Sequence, residues 1–381
     1  MNKSLSPIPP ETNQPLNNPA KEIKMPFIRI ARQNSITGSK AWLIRLTGFV
    51  ASLLTGAILI SAIGHNPLRV YLEMLNSAFG STTGFTQTVR IAIPLLGSAL
   101  AVGLAFKMRF WNIGAEGQIL VGGIASTYFA LFWYQTLPTP VLLTVMGLAA
   151  AIAGGIWGLI PAYFKAKRGT NETLFTLMLN YIAFLSVQFL QTVTSWQIPG
   201  QTGFPQIDRF DRSARLPQVF GIHIGWIFII ILTILVHLYL THSKQGYQLT
   251  VVGQSEKTAR YAAMNVKRII IHTMIISGAI AGFVGFIQTA GADFTLNEST
   301  AGGIGFTAII VAWIAQLKPA IMLPVALFTA VLERGALRIQ TTFAIPETIA
   351  SILIGIIIFF MLSCEFFINY RVIFRSRKES E

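Results

Sequence analysis

Glu116 is a carboxylate set between two long apolar runs, inside the stretch Phe110-Trp111-Asn112-Ile113-Gly114-Ala115-Glu116-Gly117-Gln118. An acid, two amides and two glycines interrupt what is otherwise near-continuous hydrocarbon, with Lys107 and Arg109 just ahead. Such side chains can line a path for a polar solute. They can equally accept hydrogen bonds from the exposed amides of helix starts. A charged group at the centre of a membrane-spanning helix costs roughly 2.5–3.5 kcal/mol on insertion scales. Glycine-broken polar backbone at bilayer depth survives only where protein covers it or where it lines a watery cavity. Asn112, Glu116 and Gln118 are therefore candidates for a solute path, and a bracing role for Glu116 stands beside that reading.

Two further groups invite the same question. Asn171 can cap a helix and Glu172 suits its first turn, while Asn180 is an amide inside the following apolar run. The second group is the stretch Gly253 to Arg268. Ser255 is a candidate N-cap and Asn265 a candidate stop. Glu256 and Arg260 form an i, i+4 pair in the favourable order, worth a few tenths of a kcal/mol. Ala259, Ala262, Ala263 and Val266 share one helical face. That small-residue face suits a shallow groove on a soluble partner; the competing reading is a helix lying on an anionic membrane surface.

Other chemistries find no support. His65, His223, His237, His242 and His272 show no metal-ligand spacing, and no Ser/His/Asp order marks a hydrolase. The chain carries no Walker A pattern, so it has no P-loop for ATP. A single cysteine, Cys364, lies in the last apolar run and reads as a packing residue. The net charge of +14 resembles that of nucleic-acid binders, but the basic residues fall in short gaps between apolar runs rather than on one patch. No cofactor is expected.

The elements that position these residues follow from composition. The chain has 381 residues, of which 53% are hydrophobic and only 12% charged. Soluble domains are about a quarter charged, so the fold class is all-α, a polytopic integral membrane protein. Residues 1 to about 40 are rich in Pro, Asn, Ser and Lys and read as a disordered tail. Ten apolar runs follow, near 41–64, 90–107, 117–136, 140–164, 172–193, 222–241, 269–290, 303–317, 319–337 and 345–364, with a basic tail over 366–381. Ten spans put both termini on one side. With that side taken as cytoplasmic, the inner segments hold 22 of the 29 basic residues and the outer segments 7, Arg69, Arg90, Arg209, Arg212, Arg215, Arg334 and Arg338. The positive-inside rule favours this orientation. Five spans per half force the halves into opposite orientation, as in an inverted repeat. Ile113-Gly114 finds an echo in Ile304-Gly305. This ordering also places Phe110 to Gln118 at the cytoplasmic turn between the second and third spans.

At this point a resemblance enters. Asn112 to Gln118 resembles the signature of permease subunits in ABC importers for nucleosides and simple sugars, within the ribose and branched-chain amino-acid permease superfamily. Lys165 to Glu172 with Met178 to Tyr181, Gly253-Gln254 with Ala259 to Ala262, and Gly303 to Ala312 are similar to later segments of that family, in order. Trp111 departs from the pattern, in which Phe110 would adjoin Asn112. The resemblance implies a multi-pass protein of a bacterial-type cytoplasmic membrane that is not itself an enzyme. It implies a cytoplasmic ATP-binding subunit, a second permease subunit and an extracytoplasmic substrate-binding protein. Gln254, Glu256, Ala259, Arg260 and Tyr261, within the loop 242–268, would then couple to the ATPase. A substrate path would run by Asn112, Glu116, Gln118, Asn180 and Phe306. The rival expectation is a stand-alone secondary transporter of small polar solutes, for which Glu116 is the candidate titrating group.

Overall fold

A computed structural model describes residues 28–32, 38–200, 203 and 205–374. Its helices are α1 Ser39–Ala62, α2 Pro67–Phe79, α3 Thr82–Lys107, α4 Ala115–Phe132, α5 Thr139–Arg168, α6 Glu172–Thr192, α7 Gly225–His242, α8 Lys244–Gln254, α9 Glu256–Tyr261, α10 Val266–Gln288, α11 Ile304–Ile314, α12 Pro319–Phe343 and α13 Glu347–Asn369. Two short antiparallel ladders accompany them: β1 (Ile28–Arg32) with β4 (Tyr370–Phe374), and β2 (Gln218–Val219) with β3 (Ile222–His223).

Short polar side chains set many of these starts. Asn66, Ser81, Asn171, Ser243, Ser255 and Asn265 each accept a hydrogen bond from a backbone N–H in the first turn that follows, relieving donors that a helix leaves unpaired. Asn265 thus opens α10 and is no stop signal for the preceding helix.

Among the described residues, α1, α3, α5, α6, α7, α12 and α13, with α10 continued to Asp293, are long and apolar enough to cross a membrane. α4 and α11 account for the other two expected runs. The expected span 303–317 is corrected in one respect: α11 has 11 residues, about 16 Å of helix, or roughly half of a ~30 Å hydrocarbon core. The gap expected between the first two spans is also filled. It contains the amphipathic helix α2 and the first turns of α3, which the low apolar content of residues 65–88 had concealed.

α3 and α10 are the most buried of the long helices, and they organise the two halves. α10 packs on α4 and α5, α3 packs on α11 and α12, and α3 and α10 touch each other. Each half thus packs its second span against helices of the other half, in keeping with two halves that interlock.

The first and last described strands pair. β1 pairs with β4, and α1 lies along α13, where Arg45 Nε donates to Glu365 Oε1 at 2.7 Å. Glu365 also accepts from Gln316 Nε2 at 2.6 Å. Residues 28–32, expected within a disordered tail, therefore form a strand; the remainder of that tail up to residue 37 and residues 375–381 lie outside the described residues.

The polar segment after α6 is folded down onto the end of α10. Phe210 N–H donates to the Phe294 carbonyl, Leu216 N–H to the Ala290 carbonyl, and Thr295 Oγ1 to the Ile207 carbonyl. His223 is buried beneath this cap; burial first, and the Arg90 charge second, push its imidazole down to about 4, so it is neutral near pH 7.

Candidate functional site

The Glu116 stretch begins with how α3 stops. Phe110 N–H donates to the Ala105 carbonyl and Arg109 N–H to the Phe106 carbonyl, with Arg109 at φ +59°. This is a Schellman turn carrying arginine where glycine is usual. Past it the chain runs without helical structure to Gly114. Five extended residues reach up to about 17 Å, enough to carry the chain from the end of α3 deep into the helical layer.

The contacts of α4 fix that depth. Gly117 N–H donates to Asn180 Oδ1 at 2.9 Å and Asn180 Nδ2 donates to the Ile113 carbonyl at 2.9 Å; Asn180 is the ninth residue of α6. Gly122 of α4 is pressed against the backbone of Gly282, in the middle third of the α10 span. The stretch expected at the cytoplasmic turn therefore re-enters the helical layer. The Schellman turn at Arg109 is the cause, and nothing in the sequence there signals a positive φ.

Here two of the sequence motifs meet. Glu116 Oε1 accepts from Gly303 N–H and Oε2 from Gly305 N–H, both at 2.6 Å. One carboxylate thus binds two of the unpaired amides at the start of α11, where the helix dipole also favours negative charge. The approach is close because both helices begin with small residues: a Cβ on Gly305 would lie 2.5 Å from Glu116 N. α4 and α11 then diverge. α4 leads towards the start of α5, and α11 leads towards the end of α3, where Trp313 meets Phe106.

The amides serve this junction. Asn112 Oδ1 accepts from Gly114 N–H at 3.0 Å and Asn112 Nδ2 donates to Gln118 Oε1 at 3.3 Å. Asn112, Gln118 and Asn180 are buried, and their polar atoms engage the backbone and one another, in keeping with the bracing alternative. Thr176, which sequence reasoning missed, accepts from Ile113 N–H at 3.2 Å. It sits one turn before Asn180 on the same face of α6, and that i, i+4 polar pair in an apolar run was the available signal. Replacing Asn180 with leucine leaves Gly117 N–H and the Ile113 carbonyl without partners. The expected cost is about 1–3 kcal/mol, seen as a lower Tm of the purified protein in detergent, with Thr176→Val less affected.

The large exposed side chains along α11 and at its far end are aromatic. Phe306 on α11 is 44% exposed, Trp111 45% and Trp313 40%. Trp111 stacks on Trp313 with centroids 5.8 Å apart and planes 22° from parallel. Glu116 itself is half-buried. Of the five expected path residues, Glu116 and Phe306 thus border open space.

The expected coupling residues lie elsewhere, beyond the α3 end of the bundle. Ser255 Oγ accepts from Thr258 N–H, and Arg260 and Glu256 approach to 3.6 Å, as the spacing implies. The small-residue face is corrected: α9 ends at Tyr261, Ala259 and Val266 point into the protein, and Ala262 and Ala263 are exposed. The outward surface is formed instead by Gln254, Glu256, Arg260 and Tyr261, the last 91% exposed. At its base Gly253 packs directly on the Lys107 carbonyl, two residues before the turn that leads to Glu116.

Helix starts that meet within the bundle, as those of α4 and α11 do, are a feature of membrane transport proteins. Comparison with known proteins narrows the class. The profile of the family described as branched-chain amino acid transport system / permease component matches residues 84–362, and the chain belongs to that family. It is 32% identical to a glucose ABC transporter permease protein of Haloferax volcanii, with 85% of this chain and 87% of that protein covered. It is 30% identical to a guanosine ABC transporter permease protein of Bacillus subtilis, covering 84% and 93%. Identity is also 30% with a nucleoside ABC transporter permease protein of Lactococcus lactis subsp. cremoris, covering 84% and 90%. Among solved structures, an inward-facing conformation of a putative metal-chelate type ABC transporter aligns with 84% of this chain and 98% of that chain, at 17% identity and TM-score 0.45.

Proposed function

We propose that this chain is the membrane-spanning subunit of an ABC importer that moves a nucleoside or a simple sugar across a cytoplasmic membrane, with both termini cytoplasmic. A separate cytoplasmic subunit hydrolyses the ATP, a second permease subunit completes the path, and an extracytoplasmic binding protein delivers substrate. The substrate class comes from the guanosine, nucleoside and glucose permeases to which the chain is similar. Aromatic and amide groups suit both classes, since rings stack on either a base or a sugar face.

One observation carries the mechanism: the exposed α8–α9 corner rests, through Gly253, on the end of α3. Closure of the ATPase halves pushes on Tyr261 and Arg260. The displacement passes to Lys107 and on to the strap of residues 109–114, shifting α4 against α11. Those two helices belong to opposite halves of the chain, so a rocking motion between the halves opens and closes the space beside Glu116 and Phe306. Glu116 acts here as a hinge pin between the starts of α4 and α11.

The test is substrate-stimulated ATPase in the assembled complex. Arg260 and Tyr261 are exposed, so Arg260→Glu and Tyr261→Ser are expected to fold normally. An interface anchor of either type is worth about 2 kcal/mol, about thirtyfold in subunit affinity, and stimulation is expected to fall to the unstimulated rate at working concentrations. Undiminished stimulation in both variants would remove the coupling assignment. Uptake by the permease alone in liposomes, driven by a proton gradient without an ATPase, would favour the stand-alone carrier instead.

A further inference from the structure

A second site lies on the membrane-facing side of the bundle, away from the α4–α11 junction. α7 packs on α3 and α12, and a groove is left between α7 and α5 with α10 as its floor. Its α8 end is a polar pocket of about 290 Å³ whose lining includes Gln245 and Gln248 of α8 and Arg268 and His272 of α10. Among the described residues, the side chains of these four make no hydrogen bond or ion pair. Among the described residues no acidic side chain lines the pocket, so none compensates the Arg268 charge there.

Tyr239 joins this pocket to an apolar cavity of about 420 Å³, lined by Val236, Ile276, Ala279 and Phe283 among others. The apolar cavity follows α10 from Ile275 to Phe283, a rise of about 12 Å, which is most of the ~15 Å that one leaflet contributes to a ~30 Å core. A cationic, amide-rich pocket below an apolar slot that reaches most of the way through one leaflet matches a molecule with an anionic head and a hydrocarbon tail.

We propose that this groove holds an anionic phospholipid from the leaflet on the α8–α9 side. Its phosphate sits among Gln245, Gln248, Arg268 and His272, and an acyl chain lies along Ala279 towards Phe283. The head group then bridges α8 to the first turns of α10, the two elements that flank α9. A bound lipid would hold the α9 corner in register with the bundle.

The experiment uses the full-length chain, purified in mild detergent, exchanged into nanodiscs of phosphatidylglycerol or phosphatidylcholine, re-extracted and read by native mass spectrometry. The wild type is expected to retain phosphatidylglycerol in preference to phosphatidylcholine. Removing one cation near a membrane surface weakens anionic-lipid attraction about fivefold, so Arg268→Gln should lose that much retention while Arg268→Lys keeps most of it. Ala279→Trp fills the slot without touching the pocket and should also displace the lipid. Size-exclusion profiles identify any variant that has failed to fold. Equal retention of both lipids by the wild type, or retention unchanged in Arg268→Gln and in Ala279→Trp, would overturn the proposal.

Discussion

Glu116→Leu is expected to abolish transport and to leave the protein markedly less stable. Leucine removes the acceptor for Gly303 N–H and Gly305 N–H, both held at 2.6 Å, and supplies nothing in return. A hydrogen bond to a charged group contributes about 1.5–3 kcal/mol, so losing two costs about 3–6 kcal/mol. Native stabilities are about 5–15 kcal/mol, and the loss is a large fraction of that. Water cannot easily rescue the Gly305 amide, which is buried against the backbone of α4. Glu116→Gln separates the two roles weighed for this residue. Glutamine keeps one acceptor oxygen but turns an NH2 group towards the other amide, so a brace predicts a partial loss of Tm with a parallel loss of uptake. A residue needed only by the passing substrate predicts unchanged Tm with uptake lost. Thermal unfolding in detergent and uptake per folded molecule in proteoliposomes decide between them. Wild-type values of both in Glu116→Leu would refute the junction itself.

Why this junction escaped the sequence is instructive. Apolar run length located nearly every helix, and local capping chemistry located Ser255 and Asn171, because both signals are contained within a few residues. The Asn112 to Gln118 motif and the Gly303 to Ala312 segment were each visible as glycine-broken helix starts. Their partnership was not, since 187 residues separate Glu116 from Gly303 and no local rule links them. Depth failed for a sharper reason. A lysine and an arginine before the motif argue for the membrane surface, and only the positive φ of Arg109 turns the chain back inward. Direction failed at α9 for a similar cause: four small residues share a helical face only if the helix continues, and it stops at Tyr261 before Ala262 and Ala263. Pairing of β1 with β4 is likewise non-local, joining segments that composition alone marks as tails.

The junction also depends on a seam that neither motif contains. Gly282 of α10 packs on the Ala150 carbonyl of α5, and Gly122 of α4 packs on Gly282 in turn. Three helices therefore meet backbone to backbone, which only small residues permit; in a bilayer such packing, rather than water exclusion, drives helix association. Even Gly282→Ala places a methyl group inside contact distance of backbone that cannot swing aside. Overpacking of this kind costs about 1–3 kcal/mol, and more where the obstacle is rigid. Gly282→Val is therefore expected to yield little monodisperse protein on size exclusion, and Gly282→Ala to lower Tm and uptake together. Gly355 provides the control: a Cβ there meets open space, and alanine improves helix propensity by up to about 1 kcal/mol, so Gly355→Ala should match or exceed the wild type. If Gly282→Ala unfolds like the wild type, α4 is not held by this seam. Something else must then keep Glu116 within reach of α11, because the carboxylate can bridge the two helix starts only while α4 stays pressed into the groove between α5 and α10.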